Sequence, residues 1–308
     1  MYRGLMQVFP CSIRMQMQHI SWEGLEEIRI RIGLPVELIY GNRVEWMTQK
    51  NARTDRQALD EMLNYMTDYS LYSLEEEIRQ GYLTIEGGHR VGLTGHTAYE
   101  RGKEGYKIQR MVDISGLNIR IAHEKKGCAN EILSYIRKES SIYNTIFFAA
   151  PGIGKTTYLR DCIRQLSDGT KQMEGLKIGV VDERSELGAC CQGKPQNDLG
   201  SRTDILDACP KEIGMKMLLR SMSPQIIAVD ELGKDKEFEL IEEMHCCGVK
   251  LLGTIHAGSM AEILKHPKLK RCLESGAMER LVELIRLPNG ERTFRVYDKT
   301  GECICGKS

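Results

Sequence analysis

Residues 145–160 read TIFFAAPGIGKTTYLR, a short apolar run that passes into glycines, a lysine and two threonines. A phosphate chain needs backbone N–H groups that converge on it without side chains in the way. Gly152 and Gly154 leave the backbone bare, Lys155 can reach terminal phosphates, Thr156 can set its hydroxyl on Mg²⁺, and Thr157 can touch an inner phosphate. The candidate nucleotide-binding stretch is therefore Ala149, Ala150, Pro151, Gly152, Ile153, Gly154, Lys155, Thr156 and Thr157. Ala149 stands where the usual pattern has its first glycine, which is tolerable if the backbone there keeps a negative φ. A glycine-rich turn without a ligand is the bland alternative. The strand-like NTIFFAA before the loop and the helix-like KTTYLRDCIRQL after it argue against that reading.

Three further strand-like runs end in chemistry. In PQIIAVDELG, Ile226 to Val229 lead to Asp230, suited to hold Mg²⁺ through its water shell, and Glu231, suited to act as base or polariser of a water. A solvated strand cap is the alternative. KIGVVDERSELG carries Asp182 and Glu183, with Arg184 and Glu186 close behind; a local Glu183–Arg184 salt bridge is its alternative. KLLGTIHAGS offers Thr254 and His256 as sensors of a terminal phosphate, against a helix cap or a core histidine. Arg90, Arg120 and Arg220 are candidates for the cation that phosphoryl transfer recruits, although each reads equally as a solvated surface charge.

These groups need a scaffold. Apolar runs at 144–149, 177–182, 225–230 and 250–255 alternate with helix-like segments, the pattern of a mostly parallel sheet with crossover helices. LVELIRLPNGERTFRVYD predicts two strands joined at Pro288-Asn289-Gly290. Upstream, EEIRIRIGLPVELIY alternates like a strand and breaks at Gly33 and Pro35, and GYLTIEGGHRVGLTG predicts a hairpin around Gly87-Gly88. GLNIRIA is another alternating strand, and residues 55–80 have helical periodicity interrupted near Tyr69-Ser70. The polar stretch 123–131 marks a boundary, so the expected division is a smaller α+β domain over 1–125 and an α/β domain over 126–308.

Composition excludes several classes. A chain of 308 residues has room for two domains, and 41% hydrophobic with 28% charged residues is ordinary for a globular protein. The 43 basic residues balance 43 acidic ones, and with only five Phe and two Trp a nucleic-acid motor or binder is disfavoured. No apolar run approaches the roughly 18 residues of a membrane span, and the N-terminus lacks a signal-peptide pattern. A cytoplasmic protein is expected, with any membrane link made through a partner. Eleven cysteines, odd in number and irregularly spaced, read as reduced thiols.

APGIGKTT, VVDERSELG, LLRSMSPQIIAVDELG and LLGTIHA, in that order, resemble the stage III sporulation protein AA family, which is itself similar to type II and type IV secretion ATPases. EIRIRIGLPVEL, GYLTIEGGHRVGLTG and LNIRIAHE extend the likeness upstream, so that it spans nearly the whole chain. The resemblance implies a RecA-like P-loop ATPase core with an N-terminal α+β domain, ATP and Mg²⁺ as cofactors, and a homohexamer. It implies Walker A roles for Lys155 and Thr156 and Walker B roles for Asp230 and Glu231. Asp182 to Glu186 resemble the acidic box of those ATPases and His256 their histidine box, and Arg120 matches a strand arginine that reaches phosphates from the N-terminal domain. The implied work lies in endospore formation: powering or gating the channel complex between mother cell and forespore, from the mother-cell cytoplasm, through membrane-anchored channel proteins. A nucleotide-gated scaffold with little turnover is a further alternative.

Overall fold

The computed structural model describes residues 3–47, 53–68, 75–79, 81–102, 105–171 and 174–306. Two compact units emerge, residues 1–123 with 189–196, and residues 124–188 with 197–308. No helix among the described residues is long and apolar enough to cross a membrane.

In the first unit, helices α1 (Arg3–Val8) and α2 (Cys11–Met17) precede strands β1 (Glu27–Arg31), β2 (Glu37–Tyr40) and β3 (Arg43–Trp46). Helices α3 (Arg56–Met66) and α4 (Glu75–Arg79) follow, then β4 (Tyr82–Ile85), β5 (His89–Gly102) and β6 (Gly105–Arg120). The strands form one antiparallel sheet in the order β3-β2-β1-β6-β5-β4. β1 shows why: Ile28 and Ile30 are fully buried while Arg29 and Arg31, alternating with them, are partly exposed. Helix α3 begins where Asp55 accepts a hydrogen bond from the Ala58 N–H at 2.8 Å. It buries Leu59, Met62, Leu63 and Met66 at helical spacing. The interruption near Tyr69-Ser70 lies outside the described residues. Near the N-terminus Leu5, Phe9, Ile13 and Met17 recur every four positions and all are buried.

His89 is buried in this unit, and its Nδ1 accepts the Ala122 N–H at 3.1 Å. Burial, reinforced by the charge of His123, lowers its pKa to about 4. The unfolded chain takes up a proton near pH 6.5 and the folded one only near 4, so stability is full above pH 6.5 and falls as the pH drops towards 4. The expected loss between pH 7 and pH 5 is about 2 kcal/mol. Denaturant unfolding at both pH values should show this difference, and His89→Gln should remove most of it. An unchanged pH difference in the variant would assign the effect to other groups.

The second unit opens with α5 (Asn130–Ile136) and two short strands, β7 (Arg137–Lys138) and β8 (Ser141–Ile142). Next come β9 (Thr145–Ala149), α6 (Lys155–Asp168), β10 (Ile178–Asp182), β11 (Thr203–Asp207), α7 (Lys211–Ser221) and β12 (Ile226–Leu232). Then follow α8 (Asp235–Cys246), β13 (Lys250–His256), α9 (Met260–Lys265), α10 (Pro267–Glu274), β14 (Arg280–Arg286), β15 (Arg292–Asp298) and β16 (Cys303–Gly306). The main sheet runs β11-β10-β12-β13-β9-β14-β15-β16, parallel as far as β14 and antiparallel beyond it.

β9 is buried along its whole length because both sheet faces are covered. Phe147 packs with Leu159, Ile163 and Leu166 of α6 in one core, while Ile146 and Phe148 join Leu218 of α7 and Phe238 and Ile241 of α8 in the other. The strand order is what matters for a site. It sets the C-terminal ends of β10, β12, β13 and β9 side by side, the edge at which open α/β sheets bind ligands.

Candidate active site

The loop leaves β9 at Ala149, which is buried inside the strand and outside the positive-φ region. Alanine therefore meets no steric objection there, and glycine's freedom is needed three residues further on. Gly152 takes φ +78° and Gly154 φ +108°, and Gly154 caps α6. Lys155, the first residue of that helix, is buried. Its ammonium contacts the Ala149 carbonyl at 3.1 Å and His256 Nδ1 at 3.0 Å. Burial lowers its pKa, with the charges of Asp230 and Glu231 opposing the shift.

Thr156 donates its hydroxyl to Asp230 Oδ2 at 2.7 Å. The other carboxylate oxygen of Asp230 accepts from the Thr254 hydroxyl and from the Glu231 N–H at 3.1 Å. Thr254 in turn accepts the Glu231 N–H at 2.8 Å. A hydroxyl and a carboxylate meeting beside a phosphate loop form the hard oxygen donor set that suits Mg²⁺, so Thr156 and Asp230 fit that ion.

Glu231 gives the largest departure from the sequence reading. The strand does not stop at Asp230-Glu231 but continues to Leu232, through an irregularity in its pairing with β13 between Val229 and Leu232. Glu231 sits there in the left-handed region at φ +54°. In a regular strand, consecutive side chains point to opposite faces. Here Asp230 reaches Thr254 and Glu231 reaches His256, two residues on one face of β13. The bulge is what lets adjacent carboxylates serve one site. A non-glycine residue held at positive φ costs on the order of 1 kcal/mol or more, and such strain collects at functional positions.

Both oxygens of the Glu231 carboxylate have partners. Oε1 meets His256 Nε2 at 2.9 Å and Oε2 meets the Arg184 guanidinium at 2.6 Å. Burial raises its pKa, but the His256 hydrogen bond and the Arg184 and Lys211 charges outweigh burial and hold the carboxyl below its usual range. Lys155, His256 and Glu231 thus form a continuous polar chain from the loop to the last carboxylate. His256 is neither a core histidine nor a helix cap; its side chain is 46% exposed and bridges two candidate groups.

The acidic stretch after β10 divides its work. Asp182 accepts three backbone N–H groups, from Glu186, Leu187 and Gly188, at 2.8–2.9 Å, and so shapes its own loop. Burial pushes its pKa up to about 6 against the pull of those donors. Glu183 pairs with Lys211 at 3.0 Å and Arg184 with Glu231, so the local Glu183–Arg184 bridge is not formed. Lys211 escaped the sequence reading. Its ammonium also donates to the Glu231 carbonyl at 2.7 Å, joining the ends of β10 and β12 through the first residue of α7. Arg160 escaped it too; it supports the same loop through the Glu186 and Leu187 carbonyls. Only their place in the fold reveals these roles, because a lone Lys or Arg in a helix carries no motif.

Of the remaining arginines, the one in this unit stands apart from the constellation. Arg220 is exposed in the last turn of α7, about 13 Å along the helix from Lys211. Arg120 and Arg90 belong to the other unit, where they face each other across β5 and β6. Glu27 flanks Arg120 on β1, and the Arg90 guanidinium stacks 3.8 Å from the Tyr82 ring centroid.

The family description "Sporulation stage III, protein AA" matches residues 3–304. The chain is 40% identical over 302 residues to stage III sporulation protein AA of Bacillus subtilis (strain 168), covering 97% of this chain and 95% of that protein. Among solved structures, the ATPase DotB of Legionella pneumophila superposes with a TM-score of 0.59 at 16% identity, covering 92% of this chain and 79% of DotB. The pilus retraction motor PilT, solved with bound ADP, gives 0.60 at 14%, covering 92% and 80%. At such identities the likeness is one of fold, and the fold is that of RecA-like secretion ATPases.

Proposed function

The chain belongs to the sporulation stage III protein AA family, and from that premise we propose that it is a Mg²⁺-dependent ATPase that energises or gates the channel complex between mother cell and forespore. The observation that carries this reading is the polar chain Lys155–His256–Glu231, laid across the adjacent C-terminal ends of β9, β13 and β12. It links the group that would hold a terminal phosphate to the group that would handle the attacking water.

In this proposal Gly152 to Thr157 cradle the phosphates, and Lys155 exchanges the Ala149 carbonyl for a terminal phosphate oxygen. Thr156 and Asp230 hold Mg²⁺, which neutralises phosphate charge when bound. Glu231 orients a water and accepts its proton on the carboxylate. Each of its oxygens already holds one partner and keeps a further lone pair for the water. Arg184, 64% exposed, is the freer of the two. Lys211 positions the Glu231 backbone and holds Glu183 beside it, and Glu183 remains a proposed catalytic carboxylate. Arg120, from the N-terminal domain, and Arg220 remain proposed catalytic cations. The working assembly is a homohexamer in the mother-cell cytoplasm, acting on a membrane-anchored partner.

The test is ATP hydrolysis by the purified chain, with and without the candidate membrane partner, alongside its mass in solution. Hydrolysis should vanish on chelation of divalent cations, rise with the partner, and accompany a ring-sized mass in ATP. A chain that stays monomeric at high concentration with ATP contradicts the ring motor.

A further inference from the structure

Lys155 is one cation at the loop, and the hairpin at the far side of β9 brings a second. β14 pairs with β9, and β15 returns from the Asn289-Gly290 turn beginning at Arg292. A Cβ built on Gly154 would lie 3.3 Å from one Arg292 guanidinium nitrogen and 3.4 Å from its central carbon. The guanidinium therefore rests against the residue that caps α6, where the loop's N–H groups turn into the helix. Arg292 is exposed, and among the described residues no carboxylate lies within ion-pair distance of it.

Its charge is felt on the Thr157 side of the loop. Burial pushes the Cys128 thiol up to about 11 and raises the Tyr158 phenol, and the Arg292 charge pulls both back. Cys128 donates to the Thr157 carbonyl at 3.8 Å, and Tyr158 follows Thr157 in the helix. Arg292 thus lies against the Gly154 cap of α6, whereas the Lys155 ammonium faces His256 on the way to Glu231.

A guanidinium beside a helix N-terminus is unfavourable by itself, because the helix end is itself positive. An anion held between them reverses the sign. The planar fork also matches phosphate oxygens two at a time. We propose that Arg292 binds the inner phosphates of the nucleotide, the part shared by ADP and ATP, as a second cation supplied by the chain's own β14–β15 hairpin. The inference rests on reading the loop as a nucleotide site.

The experiment is equilibrium binding of ADP and of ATP to the full chain, to Arg292→Ala and to Arg292→Lys, with Lys155→Ala as the empty-site reference. Arg292→Ala should weaken both nucleotides by the same factor, about tenfold, which corresponds to about 1.4 kcal/mol. Arg292→Lys should recover part of the loss, since it keeps the charge but not the fork. ADP affinity within twofold of the parent in Arg292→Ala overturns the assignment, as does a loss confined to ATP, which would move the arginine to the terminal phosphate. If the parent chain bound neither nucleotide, the loop reading would fall and Arg292 with it.

Discussion

Lys155→Ala is expected to abolish nucleotide binding, weakening both ADP and ATP by more than about a hundredfold. The side chain is buried at the first position of α6, and its ammonium is the cation that the loop itself presents. In the resting arrangement that charge is stabilised by the Ala149 carbonyl and His256, with Asp230 and Glu231 near enough to counter the cost of burial. Alanine removes the phosphate contact and also leaves the Ala149 carbonyl without its donor. Circular dichroism and the melting temperature should therefore accompany titration with a fluorescent ADP analogue. A folded Lys155→Ala chain that still binds ADP with parent affinity would sink the phosphate-loop reading.

Glu231→Gln separates binding from turnover. The amide is nearly isosteric, so the bulge, the Lys211 contact with the Glu231 carbonyl and the Asp230–Thr254 pair should persist. Nucleotide affinity should stay within a few-fold of the parent, while kcat should fall by about 10² to 10⁴, the usual contribution of a positioned general base. The low pKa of Glu231 sharpens this expectation. A carboxylate held ionised by His256, Arg184 and Lys211 is a weak proton acceptor until one of them withdraws. Multiple-turnover hydrolysis measured beside nucleotide binding distinguishes the outcomes. Parent-rate hydrolysis by Glu231→Gln would assign the base elsewhere.

Much of the architecture was legible in the chain because it is written in short-range signals. The four apolar runs, the Asn289-Gly290 turn and the glycines of the loop act over a few residues, where periodicity and backbone freedom dominate. The period-four spacing of Leu5, Phe9, Ile13 and Met17 was there as well and went unread. The bulge at Glu231 was not legible. Nothing in VDELG distinguishes a strand that ends at its acids from one that kinks and carries on. The choice is made by the register with β13, whose Thr254 and His256 collect the two carboxylates.

By itself, the sequence determined the residue types on which the reading rests: a bare loop with Lys155 and Thr156, a strand carrying Asp230 and Glu231, and a later strand carrying His256. It determined as well that these lie on separate elements of an alternating α/β chain. The tertiary structure alone decided that β10, β12, β13 and β9 stand in that spatial order, so that groups up to 101 residues apart meet within hydrogen-bond distance. It also recruited Lys211, Arg160 and Arg292, which carry no motif of their own. The physical reason is that strand order and register are settled by long-range pairing and by burial of both sheet faces, and no local stretch of sequence contains that energy.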